Sequence, residues 1–140
     1  MQYIVKRVIE RHPKELEMYG INLEIPKIKY MTFNDVSEEM KKHKIHVGKD
    51  DLSPEAEKKL GALYPDTIVF VHDWPLSGKP FYIMPSEKNG PNGEQLSKGF
   101  DAIYKGMEIS SGGQRIHIPE LLIERFNAKG MKIENFKDYI

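Results

Sequence analysis

Apolar residues recur three and four apart at the start of the chain, where Ile4, Val5, Val8 and Ile9 alternate with Lys6, Arg7, Glu10 and Arg11. That spacing predicts an amphipathic helix over 1–19. Pro13 must break or kink it, because proline lacks a donor and disfavours helical backbone in His12. Gly20 then caps the second piece, Lys14–Tyr19. Asn22–Tyr30 (NLEIPKIKY) alternates apolar and polar residues like a strand, and Pro26 confines it to an edge. A short helix follows through VSEEMKK, with Asn34 as its N-cap. Ser53-Pro54-Glu55 opens another, which runs through Leu60 and ends near Gly61.

Thr67–Val71 (TIVFV) is rich in β-branched and aromatic residues and predicts a buried strand. Phe81–Met84 predicts the next one, after a turn at Ser77-Gly78. Pro85–Ser97, polar and with two Asn-Gly pairs, predicts a surface loop. Phe100–Tyr104 and Met107–Ser110 flank Lys105-Gly106 as a two-residue hairpin. Pro119 starts a helix that Gly130 ends, and Ile133, Phe136 and Ile140 begin a further amphipathic helix. Helices around antiparallel strands make the fold class α+β. The expected organisation is one partial domain over 1–140. In it, 1–65 is a mostly helical lead-in or insertion, and 66–140 holds the strands, the hairpin and the following helices. The terminal helices read as cut, and their apolar stripes (Ile4/Val8 and Ile133/Phe136/Ile140) predict self-association.

Twenty-one basic and 21 acidic residues leave the 140-residue chain with no net charge, so no global field draws it to nucleic acid. The absence of cysteine excludes disulfides, thiol nucleophiles and thiolate metal sites. No apolar run approaches the ~20 residues of a spanning helix, and the charged start has no signal-peptide core. The expectation is a cytoplasmic protein with no membrane partner. His43 and His46 lie in a basic segment (KKHKIH) whose spacing gives only weak support to a zinc site, and Lys41–Lys44 reads as a solvated face with an RNA phosphate contact as the alternative. No phosphate-loop, dinucleotide-loop or hydrolase-elbow motif occurs.

The densest chemistry lies in Asp101–His117 (DAIYKGMEISSGGQRIH). Around a Lys105-Gly106 turn, Asp101 pairs with Ser110 and Ile103 with Glu108. The two carboxylates then share a face about 7–8 Å apart, suited to a hydrated or phosphate-bound Mg²⁺. Arg115 offers a planar fork for a carboxylate or phosphate, and Gly112 and Gly113 allow close backbone approach. The same residues also fit an ordinary solvated acidic face followed by a plain loop.

FDAIYKGMEISSGGQRIHIPELL resembles the segment of class II aspartyl-tRNA synthetases, particularly the archaeal type, that precedes the last class-defining motif. VFVHDWPLSGKPFYIMP and DLSPEAEKKLG resemble the strands and helix before it, so the likeness covers about residues 50–140 and, more loosely, the first 50. The resemblance implies that Glu108 binds ATP and Mg²⁺, with Asp101 supporting the metal. It implies that Ser111 serves the metal and the amino-acid pocket and that Arg115 grips the side-chain carboxylate of aspartate. Gln114, Gly112, Gly113 and His117 would shape the pocket. Because the family pattern places Ser111, not Ser110, beside Glu108, a bulge at Ser110-Ser111 is expected.

The implied chemistry is ATP-dependent activation of aspartate to aspartyl-adenylate, followed by transfer to tRNA. The resemblance also implies a middle-to-late piece of the catalytic domain. The family's first and second motifs and anticodon barrel are missing, and the chain stops before the third motif. Alone it is then expected not to turn over. Two rivals stand beside this reading. One is an asparagine synthetase-like or asparaginyl-tRNA synthetase-like relative, the other a non-catalytic binding or partner subunit.

Overall fold

The computed structural model describes residues 1–136. Four strands form the main sheet in the order β1-β2-β5-β6: β1 (Lys27–Thr32), β2 (Thr67–His72), β5 (Gly99–Tyr104) and β6 (Met107–Gly113). The β2–β5 and β5–β6 pairs are antiparallel, as the sequence predicts. The edge strand β1 departs from that pattern and lies parallel to β2. A parallel neighbour needs a long crossover. Helices α3 (Phe33–Lys42) and α4 (Pro54–Leu63) supply it.

Alternation along the strands sends Met31, Val69, Val71 and Ile103 into one core with Phe33, Val36, Met40, Leu52, Ala56, Leu60 and Trp74. Helix α3 begins two residues earlier than an N-cap at Asn34 predicts. Thr32 is the N-cap, accepting from the Asp35 N–H at 3.0 Å while its own N–H donates to the Asp35 carboxylate at 3.0 Å. This reciprocal capping box satisfies two donors at once and outcompetes Asn34. Ser53 caps α4, as predicted. Helix α4 meets the β5–β6 turn so closely that a Cβ on Gly61 would run into the backbone of Gly106.

Two sequence expectations fail between β2 and β5. Phe81–Met84 is no strand: Pro80 and Pro85 flank it and remove donors. The ring of Phe81 instead stacks on Phe126 of α5 (Pro119–Ala128), centroids 4.5 Å apart. Only isolated bonds tie this segment to the chain after β6, such as Met84 N–H to the Gln114 carbonyl at 2.9 Å. The predicted loop, in turn, contains a hairpin of β3 (Pro85–Asn89) and β4 (Gln95–Ser97).

At the start, α1 (Gln2–Arg11) and α2 (Pro13–Met18) break at His12 as expected. Neither helix contains a buried residue, and Ile4 is 65% exposed. At the other end, Ile133–Phe136 forms a 3-10 turn, and the remainder of the expected helix, with Ile140, lies outside the described residues. Among the described residues no helix is long and apolar enough to cross a membrane.

Candidate active site

The β5–β6 hairpin turns at Lys105-Gly106, with φ of 50° and 77° respectively, the left-handed pair that a two-residue turn requires. From the turn the ladder begins as expected, with Tyr104 opposite Met107 and Ile103 opposite Glu108. The register then shifts by one, so that Ala102 faces Ser110 and Asp101 faces Ser111. A bulge is present, but the extra residue is Ile109, one or two positions nearer the turn than Ser110-Ser111. Its effect is the one the family pattern demands. Facing residues share a side of a sheet, and so do residues two apart on one strand. Asp101, Ile103, Glu108 and Ser111 therefore all present one face.

That face is crowded with negative charge. Burial holds the Asp101 carboxyl above its ordinary range, and Glu108 and Asp51 add to the effect. Glu57 on α4 is also raised, first by burial and then by Glu108, Asp51 and Asp101. Opposing this is Lys79, which sequence reasoning missed. Its ammonium donates to Asp101 Oδ2 at 2.6 Å and lies 3.9 Å from the centroid of the Trp74 ring. Trp74 is buried, and its Nε1–H donates to the Val71 carbonyl at 2.9 Å, which fixes the ring under the lysine.

A cavity of about 320 Å³ opens here, lined by Lys79, Pro80, Tyr82, Ile83, Asp101, Ser111, Gly112, Gly113 and Arg115. Arg115 stacks over the Tyr82 ring at 3.8 Å, and an isolated bridge to Ile83 pins its backbone. A Cβ on Gly113 would lie 2.8 Å from the Lys98 carbonyl, so the chain here must stay without a side chain. The cavity thus gathers Asp101, Ser111, Gly112, Gly113 and Arg115 among the predicted residues. Glu108 lies nearer the turn on the same face, outside the cavity lining and exposed. Gln114 and His117 are exposed and do not line it, although the Gln114 backbone bonds both Met84 and Lys98. With Lys79 balanced by Asp101, Arg115 leaves the cavity net positive and suited to a carboxylate.

No cluster of three or more His, Asp or Glu side chains able to hold a metal occurs among the described residues. The donors present, Glu108 and Ser111, are hard oxygens, and Asp101 is already engaged by Lys79. Such a set fits a cation that keeps waters or phosphate oxygens as its other ligands, as Mg²⁺ does.

All 140 residues match the family of tRNA synthetases class II (D, K and N). The chain belongs to that family. An aspartate–tRNA(Asp/Asn) ligase of Methanocaldococcus jannaschii is 40% identical over 136 residues, 95% of this chain and 30% of the relative. Among solved structures, the aspartyl-tRNA synthetase of Entamoeba histolytica superposes with a TM-score of 0.81 at 29% identity, over 97% of this chain and 29% of that one. The asparaginyl-tRNA synthetase of Pyrococcus horikoshii complexed with asparaginyl-adenylate gives 0.82 at 26% identity, over 99% of this chain and 32% of that one. The chain thus spans about a third of the length of the synthetases it matches. Its curated relatives include aspartate–tRNA ligases such as those of Methanocaldococcus jannaschii and, at 34% identity over 97% of this chain, Thermoplasma volcanium.

Proposed function

We propose that this chain forms the amino-acid and metal side of an aspartyl-tRNA synthetase catalytic domain, in the middle-to-late part of that domain. The observation that carries the reading is the cavity flanked by Lys79 and Arg115, which adjoins a face bearing Glu108 and Ser111. In the whole enzyme, a carboxylate oxygen of aspartate attacks the α-phosphorus of ATP, the bond to pyrophosphate breaks, and aspartyl-adenylate forms. A terminal ribose hydroxyl of tRNA then attacks the aspartyl carbonyl carbon, the bond to the phosphate oxygen breaks, and AMP leaves as the ester forms.

The residues divide that work by charge. Arg115, oriented by Tyr82, receives the side-chain carboxylate of aspartate through its two-pronged guanidinium. Lys79 lies in the same cavity as a second cation, and Asp101 holds it in position. Glu108 and Ser111 would hold Mg²⁺, which when bound offsets the charge of the ATP phosphates. Asp101 supports the metal site indirectly, through its own charge on the same face. Gly112 and Gly113 keep the cavity wall low enough for backbone approach. All of this is positioning and charge stabilisation, with no covalent enzyme intermediate.

Lys79 and Asp101 balance each other, so Arg115 leaves the cavity net positive and favours a free carboxylate over the amide of asparagine, which sets this reading above the asparaginyl one. A stable aspartyl-adenylate analogue with Mg²⁺ should raise the melting temperature of the chain more than its asparaginyl counterpart does. Arg115→Ala should abolish that rise. Equal or absent shifts with the two analogues would count against the aspartate pocket.

A further inference from the structure

The segment Leu76–Tyr82 supplies Lys79 to the cavity and, through Tyr82, the ring that Arg115 stacks on. Little within the segment itself holds it there. Lys79 follows a three-residue 3-10 turn, Leu76–Gly78, whose two backbone hydrogen bonds are both long at 3.3 Å. Such turns are weak on their own.

Helix α5 reaches the segment at three points. Arg125 Nη2 donates to the Leu76 carbonyl at 3.3 Å, and Lys129 Nζ donates to the Ser77 carbonyl at 2.6 Å. These are carbonyls at the end of the turn, which need donors from elsewhere. The third point is Phe126, fully buried, whose ring stacks on Phe81. From the opposite side, Ser77 Oγ donates to Asp50 Oδ2 at 2.9 Å, and a Cβ on Gly78 would run into the Asp50 carbonyl. The turn is thus held between Asp50 and α5.

Arg125 occupies its place at a cost in stability. Burial lowers the pKa of its guanidinium, and its Nε is buried with no hydrogen-bond partner among the described residues. A methionine there would fill similar space without desolvating a charge. Departures of this kind concentrate where function needs them.

We propose that Arg125, with Lys129 one turn further along α5, is a positioning residue for the aspartate pocket, fixing the 76–78 turn so that Lys79 stays against Asp101 and over Trp74. The proposal rests on the reading of that cavity as an aspartate site. Neither residue lines the cavity, so both act through Lys79. Residues 116–118 alone join Arg115 to α5, and the helix that follows one cation of the site therefore positions the other.

The position of Lys79 can be read directly by NMR. Its ammonium lies 3.9 Å from the ring centroid of Trp74, the chain's only tryptophan, so the ring current shifts its ε-methylene protons upfield. Arg125→Met should leave the melting temperature unchanged or raise it, yet move those signals toward the position of a free lysine. It should also weaken the aspartyl-adenylate analogue with Mg²⁺ about three- to tenfold, the value of one hydrogen bond. Arg125→Lys, which keeps a donor, should recover part of both effects. If Arg125→Met does not fold, Lys129→Met, altered at an exposed position, decides on the same readings. Lysine signals that stay shielded in both methionine variants overturn the proposal, even if melting temperatures fall, because α5 then only packs. Analogue affinity that ignores a displaced Lys79 overturns it as well. If the analogue fails to bind the parent, the aspartate reading falls, and the lysine signals alone decide whether α5 positions Lys79.

Discussion

Lys79 Nζ sits 2.6 Å from Asp101 Oδ2, with the two side chains only 14% and 11% exposed. One ammonium thereby neutralises a carboxylate that burial, Glu108 and Asp51 all push toward its protonated form. The same ammonium caps the face of Trp74. Site charge and core packing therefore meet in a single pair.

Lys79→Met keeps the aliphatic stem and removes the cation, leaving Asp101 buried beside other acids. The loss at neutral pH should be about 3 kcal/mol, the range for breaking a buried pair from one side. Its pH dependence has a definite sign. A carboxyl whose folded pKa is raised stabilises the fold below its unfolded pKa, and that stability is lost as pH rises through the folded value. The variant should therefore be most stable in acid and weaken toward neutrality in urea melts between about pH 4 and pH 8. Adding Asp101→Asn should recover much of the neutral-pH loss. A pH-independent deficit would show that lost packing, not charge, is responsible.

Tyr82 should matter to ligand discrimination, because Arg115 stacks 3.8 Å over its ring. Tyr82→Ala removes a contact worth about 1 kcal/mol and should weaken the aspartyl-adenylate analogue roughly fivefold. Arg115→Ala should go further and erase the preference for the aspartyl over the asparaginyl analogue. Calorimetric titration of both analogues checks this, and a preference that survives Arg115→Ala would assign it to Lys79 alone.

The hairpin was legible because a left-handed Lys105-Gly106 pair between two apolar runs has few other uses. The bulge was placed at Ser110-Ser111, where glycines follow, but the structure inserts Ile109. Period-two alternation counts faces and carries no mark for an extra residue. Phe81–Met84 failed differently: its apolar run fits a strand or a packed turn equally well, and only contact with Phe126 decides. Lys79 was invisible because its partner is 22 positions away. The site's composition was therefore readable around β6, whereas the segment that closes the cavity was not.

Gly61→Ala should destabilise the fold although alanine is the better helix former. The new Cβ would strike the backbone of Gly106, which has φ of 77° and sits 2.8 Å from Lys58 Cα when given a Cβ of its own. Neither side of the contact is a flexible side chain that can swing away. A loss of about 1–3 kcal/mol is expected, the range for overpacking. Because the turn it displaces sets the register of Glu108, metal-dependent stabilisation by the adenylate analogue should fall as well. Thermal melts with and without the analogue separate the two effects, and an unchanged melting temperature would mean that α4 can move off the hairpin freely.

The Thr32–Asp35 capping box gives the chain an acid-sensitive joint between β1 and α3. Hydrogen bonds from the Thr32 side chain and backbone hold the Asp35 carboxyl below its ordinary range. A depressed folded pKa contributes stability above the unfolded pKa, and that contribution disappears as pH falls through the folded one. Asp35→Asn should cost about 1 kcal/mol at neutral pH, as loss of a helix cap does. The difference from the parent should then shrink on acidification, because the parent loses its charged cap too. Thr32→Ala removes both the acceptor for the Asp35 N–H and a bond that lowers the Asp35 carboxyl, so its penalty should shrink only in part on acidification and leave a residual offset. Parallel melts of the two variants separate these contributions: curves for both variants that run parallel to the parent at every pH would show a purely geometric cap with no charge assistance.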